Sequence, residues 1–185
     1  MPLSAPAPRT ARHVRRVTYQ GFEREDGLWD IEGELHDSKT HALPSLFVPG
    51  GMRPPGDPIH HMRLRVTVDR QLVVQAIESS MEAHPLSGCK AAQQALQTMV
   101  GCSMARGWRQ AIQTHLGGVA GCTHLRELLF NLATAAFQSV HEAFQGAGDG
   151  PPRHLGQCTG WDFAGEGVRM HYPQFHTLTS NAIEK

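Results

Sequence analysis

The chain has no excess of either charge: Lys plus Arg and Asp plus Glu are both 17 in 185 residues, and no block of five like charges occurs. That removes the electrostatic footprint expected of a nucleic-acid or anionic-membrane binder. No apolar run approaches the ~18 residues of a membrane span. The first ten residues are Pro/Ala-rich and are followed by Arg12, Arg15 and Arg16 rather than an apolar stretch, so no signal-peptide core is expected. These absences make the cytoplasm the expected location, where thiols stay reduced. Cys-x-x-Cys is also missing and no internal repeat is visible. The four cysteines then read as buried thiols, ligands or nucleophiles rather than as a disulfide framework. Against this background, twelve histidines make metal or proton chemistry worth testing.

The length suits one ordinary domain. Residues 1–13 are expected to be a disordered tail, because Pro-rich sequence has too little apolar surface to offset the cost of ordering. Residues 15–22 can form a first strand. From Leu28 to His36 the pattern alternates, with Trp29, Ile31, Gly33 and Leu35 on one face and Asp30, Glu32, Glu34 and His36 on the other. Residues 40–57 hold Pro44, Pro49, Gly50, Gly51, Pro54, Pro55 and Gly56 and read as an irregular loop. Period 2 returns at Pro58, placing His60 with Met62, Leu64, Val66 and Val68 on an inward face and His61 outward. A turn at Asp69-Arg70 leads into a run from Leu72 to Met81.

The period then changes to that of a helix. Ala92, Ala95, Leu96 and Met99 follow Cys89 and end at Gly101; Trp108, Ala111, Ile112, His115 and Leu116 end at Gly117-Gly118. Cys122 opens the longest stripe, of Leu125, Leu128, Leu129, Leu132, Ala136, Phe137 and Val140. Strands followed by helices predict an α+β domain over residues 14–145, an antiparallel sheet of three or more strands with helices on one face. Residues 146–185 are expected as a C-terminal extension packing back on the domain, with 153–185 an extended tail around Trp161, Phe163, Tyr172 and Phe175.

Three features meet on this map: His60 facing inward, Cys89 at the head of one helix, and Cys122 with His124 at the head of another. Thiolate and imidazole suit zinc and iron, and a helix N-terminus favours a thiolate. The spacing of 33 residues between Cys89 and Cys122 carries no motif, and buried cysteines and a satisfied core histidine account for the same residues. Cys102, just past a helix end, reads as structural, and nothing in its spacing draws Cys158 to a site. Asp30, Glu32 and Glu34 read as a solvated strand face, with Asp30 and Glu32 as an acid/base pair the alternative.

The strings Arg24-Glu25-Asp26-Gly27-Leu28-Trp29-Asp30-Ile31-Glu32-Gly33, Pro58-Ile59-His60-His61-Met62-Arg63-Leu64 and Gly117-Gly118-Val119-Ala120-Gly121-Cys122-Thr123-His124-Leu125 resemble the signatures of a bacterial family known as domain of unknown function 2889. His61 stands where that pattern has an acidic residue. Residues 58–143 more distantly resemble the IscU and NifU iron-sulfur scaffolds. The resemblance implies an IscU/NifU-like fold, with Cys89 and Cys122 at two cluster cysteines, His60 at a nearby aspartate, and no counterpart of the first cysteine.

The leading expectation is a mononuclear metalloenzyme in which His60, Cys89 and Cys122 hold a divalent metal, zinc before iron. His124 or Glu127 would transfer the proton, in lyase or hydrolase chemistry on a small aromatic or acyl compound. The alternative is a non-catalytic iron-sulfur or metal carrier that works with a partner protein. A small-molecule substrate is the expected partner, with self-association left open.

Overall fold

A computed structural model describes residues 2–45, 48–140 and 149–177. The chain divides into two compact units, residues 1–139 and 140–185. No helix among the described residues is long and apolar enough to cross a membrane.

The first unit is α+β. Its sheet is built from four strands, β1 (His13–Glu23), β2 (Trp29–Lys39), β5 (Pro58–Val68) and β6 (Val74–Ala83), in the order β1-β2-β5-β6 and antiparallel throughout. The alternation read from sequence is realised: Ile31 and Leu35 from β2, and Met62, Leu64, Val66 and Val68 from β5, all face inward and are essentially inaccessible. The opposite face carries a charged ladder in which Glu32 pairs with Arg65 and Glu34 with Arg63.

Residues 40–57 hold more structure than their Pro and Gly content predicts. Two-residue strands β3 (Leu43–Pro44) and β4 (Met52–Arg53) form a ribbon, closed through Gly50 and Gly51 at φ 81° and 71°. β6 begins later than expected, because Asp69 Oδ1 accepts from the N–H groups of both Gln71 and Val73 and prolongs the turn. Leu72 closes that turn at φ 62° with its side chain fully buried.

The helical stretch after Cys89 is segmented into a 3-10 turn (Ser87–Ala91), α1 (Ala92–Ala95) and a second 3-10 turn (Leu96–Met99). α2 (Trp108–Leu116) and α3 (Thr123–Ser139) follow the predicted periods. Leu125, Leu128, Leu129, Leu132 and Ala136 bury the inner stripe of α3. The Trp108 indole donates to Leu129 O at 2.8 Å, satisfying its one polar atom inside the core and tying α2 to α3. α3 can lie close over the sheet because Gly33 has no side chain: a Cβ there would stand 3.1 Å from the Tyr19 ring and 3.5 Å from Leu128.

Among its described residues the second unit holds turns and a short helix within the stretch expected as an extended tail, 153–185. A 3-10 turn (Thr159–Trp161), α4 (Glu166–His171) and a further turn (Pro173–Phe175) are arranged around Trp161, whose ring meets His154 at 4.8 Å and Tyr172 at 5.9 Å. Hydrogen bonds from Gly156 N to Trp161 O (2.7 Å) and from Thr177 N to Phe163 O (3.0 Å) close it. The boundary expected between residues 145 and 146 lies outside the described residues, while residues 2–12 are exposed and have no regular secondary structure.

Candidate metal centre

The site begins with strand register. Arg15 on β1, Asp37 on β2 and His60 on β5 lie in one row across the sheet, with Asp37 the Cα partner of both others. Asp37 continues the inward face of Ile31, Gly33 and Leu35, so its carboxylate points under the helices and is 3% exposed. The β2–β5 register shifts just after it, between Asp37 and Ser38. Such an irregularity re-aims side chains at the end of a ladder.

A buried carboxylate requires partners. Oδ1 lies 3.1 Å from His13 Nε2 and Oδ2 accepts from Arg15 Nη2 at 2.8 Å. Burial pushes the Asp37 carboxyl up, but the contacts with His13 and Arg15 outweigh it and hold the group below the usual carboxylate range. The second terminal nitrogen of Arg15 donates to Glu127 Oε2 at 2.6 Å, so the guanidinium bridges a buried acid and an exposed one.

α3 supplies the remaining side. His124, in its first turn, directs Nε2 to within 3.8 Å of Asp37 Oδ2, and its ring lies 3.7 Å from that of His60 at an interplanar angle of 31°. His60 Nδ1 is 3.3 Å from the same oxygen, buried, and without a hydrogen bond of proper geometry. Burial, and then the neighbouring His124, lower the His60 pKa, which favours the neutral form that can offer a lone pair. Asp37, His60 and His124 each present a ligand atom within 4.8 Å of the others. They form a group able to hold a metal ion.

The sequence-predicted residues divide around this group. His60 and His124 are members, and Asp37 is the member that sequence reading missed. Cys122 stands beside it: Sγ is 3.9 Å from His124 Nδ1, on the ring edge away from Asp37. Burial raises the Cys122 thiol, but His124 and the N–H groups of Leu125 and His124 at the head of α3 bring it below its ordinary value. Cys89 lies in the 3-10 turn before α1 and is not a member of the group. Glu127 faces Arg15. His61 points to the other side of the sheet, between Glu34 (2.6 Å) and Glu82 (2.9 Å). That face also carries a hollow of about 480 Å³ lined by Thr18, Gln20, Glu34, Arg63 and Arg65, to which none of Asp37, His60 and His124 contributes.

One sequence signal did point to Asp37: an acid two residues beyond Leu35 on a strand whose odd positions are all inward, and a buried acid is the informative exception. Asp37 stands one residue beyond the alternating stretch from Leu28 to His36.

Comparison with curated proteins and with solved structures yields no match. The family described as "Protein of unknown function (DUF2889)" matches residues 13–138, which span the four-stranded sheet, α1, α2, α3 but for its last residue, and every residue of the candidate centre. The chain belongs to that family.

Proposed function

We propose that Asp37, His60 and His124 hold one divalent metal ion, zinc by preference, and that the protein is a metal-dependent hydrolase or lyase acting on a small acyl or aromatic compound. The convergence of two imidazoles and one carboxylate from three separate elements carries this reading. Ligand atoms bound to zinc at ~2.0–2.1 Å in a tetrahedron stand about 3.4 Å apart. The 3.3 and 3.8 Å separations from Asp37 Oδ2 to the two rings bracket that value. Two imidazole nitrogens and one carboxylate oxygen match the three-ligand composition of catalytic zinc sites, which keep a further position for water or substrate.

The surroundings suit the role as well. Metal-binding histidines and carboxylates are normally oriented by outer partners. Here Cys122 meets the far nitrogen of His124, while His13 and Arg15 fix the carboxylate of Asp37. A bound metal would polarise a carbonyl or lower the pKa of water. Glu127, joined to Asp37 through Arg15 and 47% exposed, is our choice for the group that exchanges protons with solvent. The four free thiols suit a reducing compartment, the cytoplasm. A carrier of iron-sulfur clusters would call for several thiolates, and the converging group contains none.

The test is elemental analysis of protein loaded with zinc under reducing conditions, beside His60→Ala and His124→Ala. About one equivalent in the wild type, falling below a tenth in both variants, is expected for a three-ligand site. Binding that survives both substitutions would refute the assignment.

A further inference from the structure

The two edges of the sheet are treated differently. On β6 the outer backbone is occupied: Gln97 Nε2 donates to Ile77 O at 2.9 Å and Gln93 Nε2 to Ser79 O at 2.7 Å. Gly101 N donates to Val74 O at 2.8 Å, and Val74 N to Cys102 O at 3.0 Å. That edge is closed by side chains and by the segment after α1.

β1 has no such cover among the described residues of the first unit. Its eleven residues pair with β2 without a register shift, so no bulge turns the edge away, and it contains neither proline nor lysine. Bulges, proline and lysine are among the devices that blunt an exposed strand; of the charges β1 does carry, Arg15 is held by Asp37 and Glu127. Thr40 N donates to Arg12 O, which marks 12↔40 as a hydrogen-bonded pair of the β1–β2 ladder. By alternation, the even residues of β1 bond to β2, while His13, Arg15, Val17, Tyr19, Gly21 and Glu23 turn their N–H and C=O groups to the open side. Val17 and Phe22 are 40% and 46% exposed along the same strand.

We propose that this edge pairs with β1 of a second copy of the chain, antiparallel about a two-fold axis at Thr18, giving a continuous eight-stranded sheet. The register is the one that uses all eleven residues. It sets Val17 against Tyr19 and Val14 against Phe22 of the second copy, and Thr18 against itself. His13 meets Glu23 and Arg16 meets Gln20, so no like charges confront each other. On the order of twelve ladder hydrogen bonds form, all from groups that the β1–β2 pairing leaves free. The surface is self-complementary, as an isologous dimer requires. A different partner would have to supply the mirror of this pattern, which a second copy contains by construction. The pairing does not depend on the metal-site reading.

Two variants test it by analytical ultracentrifugation at about 50 μM, where a complex of micromolar Kd is mostly assembled. The wild type should sediment at twice the 20.3 kDa chain mass. Val17→Pro deletes an outward N–H and leaves the β1–β2 ladder intact, and should give a folded monomer with an unchanged far-UV spectrum. Thr18→Cys faces its own copy as a non-hydrogen-bonded pair, with Cα atoms ~4.5 Å apart, inside the ~4.4–6.8 Å window of a disulfide. With oxidised glutathione as the two-electron oxidant, reduced to two thiols, most of that variant should become a covalent dimer. Wild type and Gln20→Cys should not. A 20.3 kDa species together with no Thr18→Cys cross-link would overturn the pairing. A dimer that persists in Val17→Pro without the cross-link would move association to another surface and overturn it equally. If Val17→Pro does not fold, the cross-link alone decides.

Discussion

Replacing Asp37 by Asn changes the proposed centre at its most connected atom pair while keeping the shape of the side chain. Two effects combine. A carboxylate ligand becomes a neutral amide whose nitrogen cannot bind the metal, and loss of even an outer-shell partner costs 10–100-fold in metal affinity, roughly 1.4–2.7 kcal/mol. A direct ligand should cost at least the upper figure. The amide also has one acceptor and one two-hydrogen donor in place of two acceptors. The amide oxygen can still accept from Arg15, and the NH2 group can donate to His13 Nε2 in the tautomer that leaves that nitrogen its lone pair, so both contacts survive but lose the negative charge that strengthened them. Hydrogen bonds to charged groups are worth about 1.5–3 kcal/mol. His13 and Arg15 are 38% and 34% exposed and recover water, and Arg15 keeps Glu127, so the expected loss of stability is nearer about 1 kcal/mol. The assays are competition for zinc with a chromophoric chelator and urea unfolding of the metal-free protein. Zinc affinity should fall at least about a hundredfold, while the urea midpoint moves modestly at constant slope. Glu34→Gln, on the opposite face of the sheet, should leave zinc affinity unchanged. Affinity of Asp37→Asn within about threefold of wild type, a change of only ~0.7 kcal/mol, would refute the reasoning.

Stability of the metal-free protein should depend on pH in a set direction. His60 and Asp37 both have pKa values lowered by folding, so each binds fewer protons folded than unfolded and contributes stability at higher pH. As pH falls, the His60 share should fade from about 6.5 down through its folded value, and the Asp37 share from about 3.9 down through its own. Urea midpoints that rise on acidification through the first window would contradict this. Cys122→Ser should keep the fold and retain zinc with an affinity about 10–100-fold weaker, since Cys122 meets His124 rather than joining the three-residue group. Cys89→Ser and Cys102→Ser should bind as wild type in the same chelator competition. Complete loss of zinc in Cys89→Ser would restore the thiolate site.

Most of the fold was legible because its signals are local. Alternation in β2 and β5 placed Ile31, Leu35, Met62 and Leu64 inward, and the 3.6 period gave α2 and α3 their buried stripes. The ribbon in 40–57 was hidden because its pairing is made by two residues on each side, below the length at which period 2 can be counted. The segmented helix after Cys89 was hidden because Gln93 and Gln97 are tied to β6, a tertiary contact that no local pattern records.

At the site, the inward His60 and the helix-heading His124 were both legible, the first from strand parity and the second from the glycine-rich approach to α3. The thiolate assignment followed from chemistry alone, since cysteines near helix starts are good ligands wherever they converge. Convergence is set by register, and the β1–β2–β5 register brings Arg15, Asp37 and His60 into one row. Reading the parity of β2 one step further would have placed an acid opposite His60.

The central claim is that nitrogen and oxygen, not sulfur, hold the metal. X-ray absorption at the zinc edge of the loaded, reduced protein measures this directly, because Zn–N and Zn–O bonds of ~2.0–2.2 Å separate from Zn–S bonds of ~2.3 Å. The geometry of Asp37, His60 and His124 predicts a single shell of light atoms near ~2.0–2.1 Å with imidazole outer scattering and no sulfur. A sulfur shell at ~2.3 Å would place Cys122 or Cys89 on the metal and contradict the account.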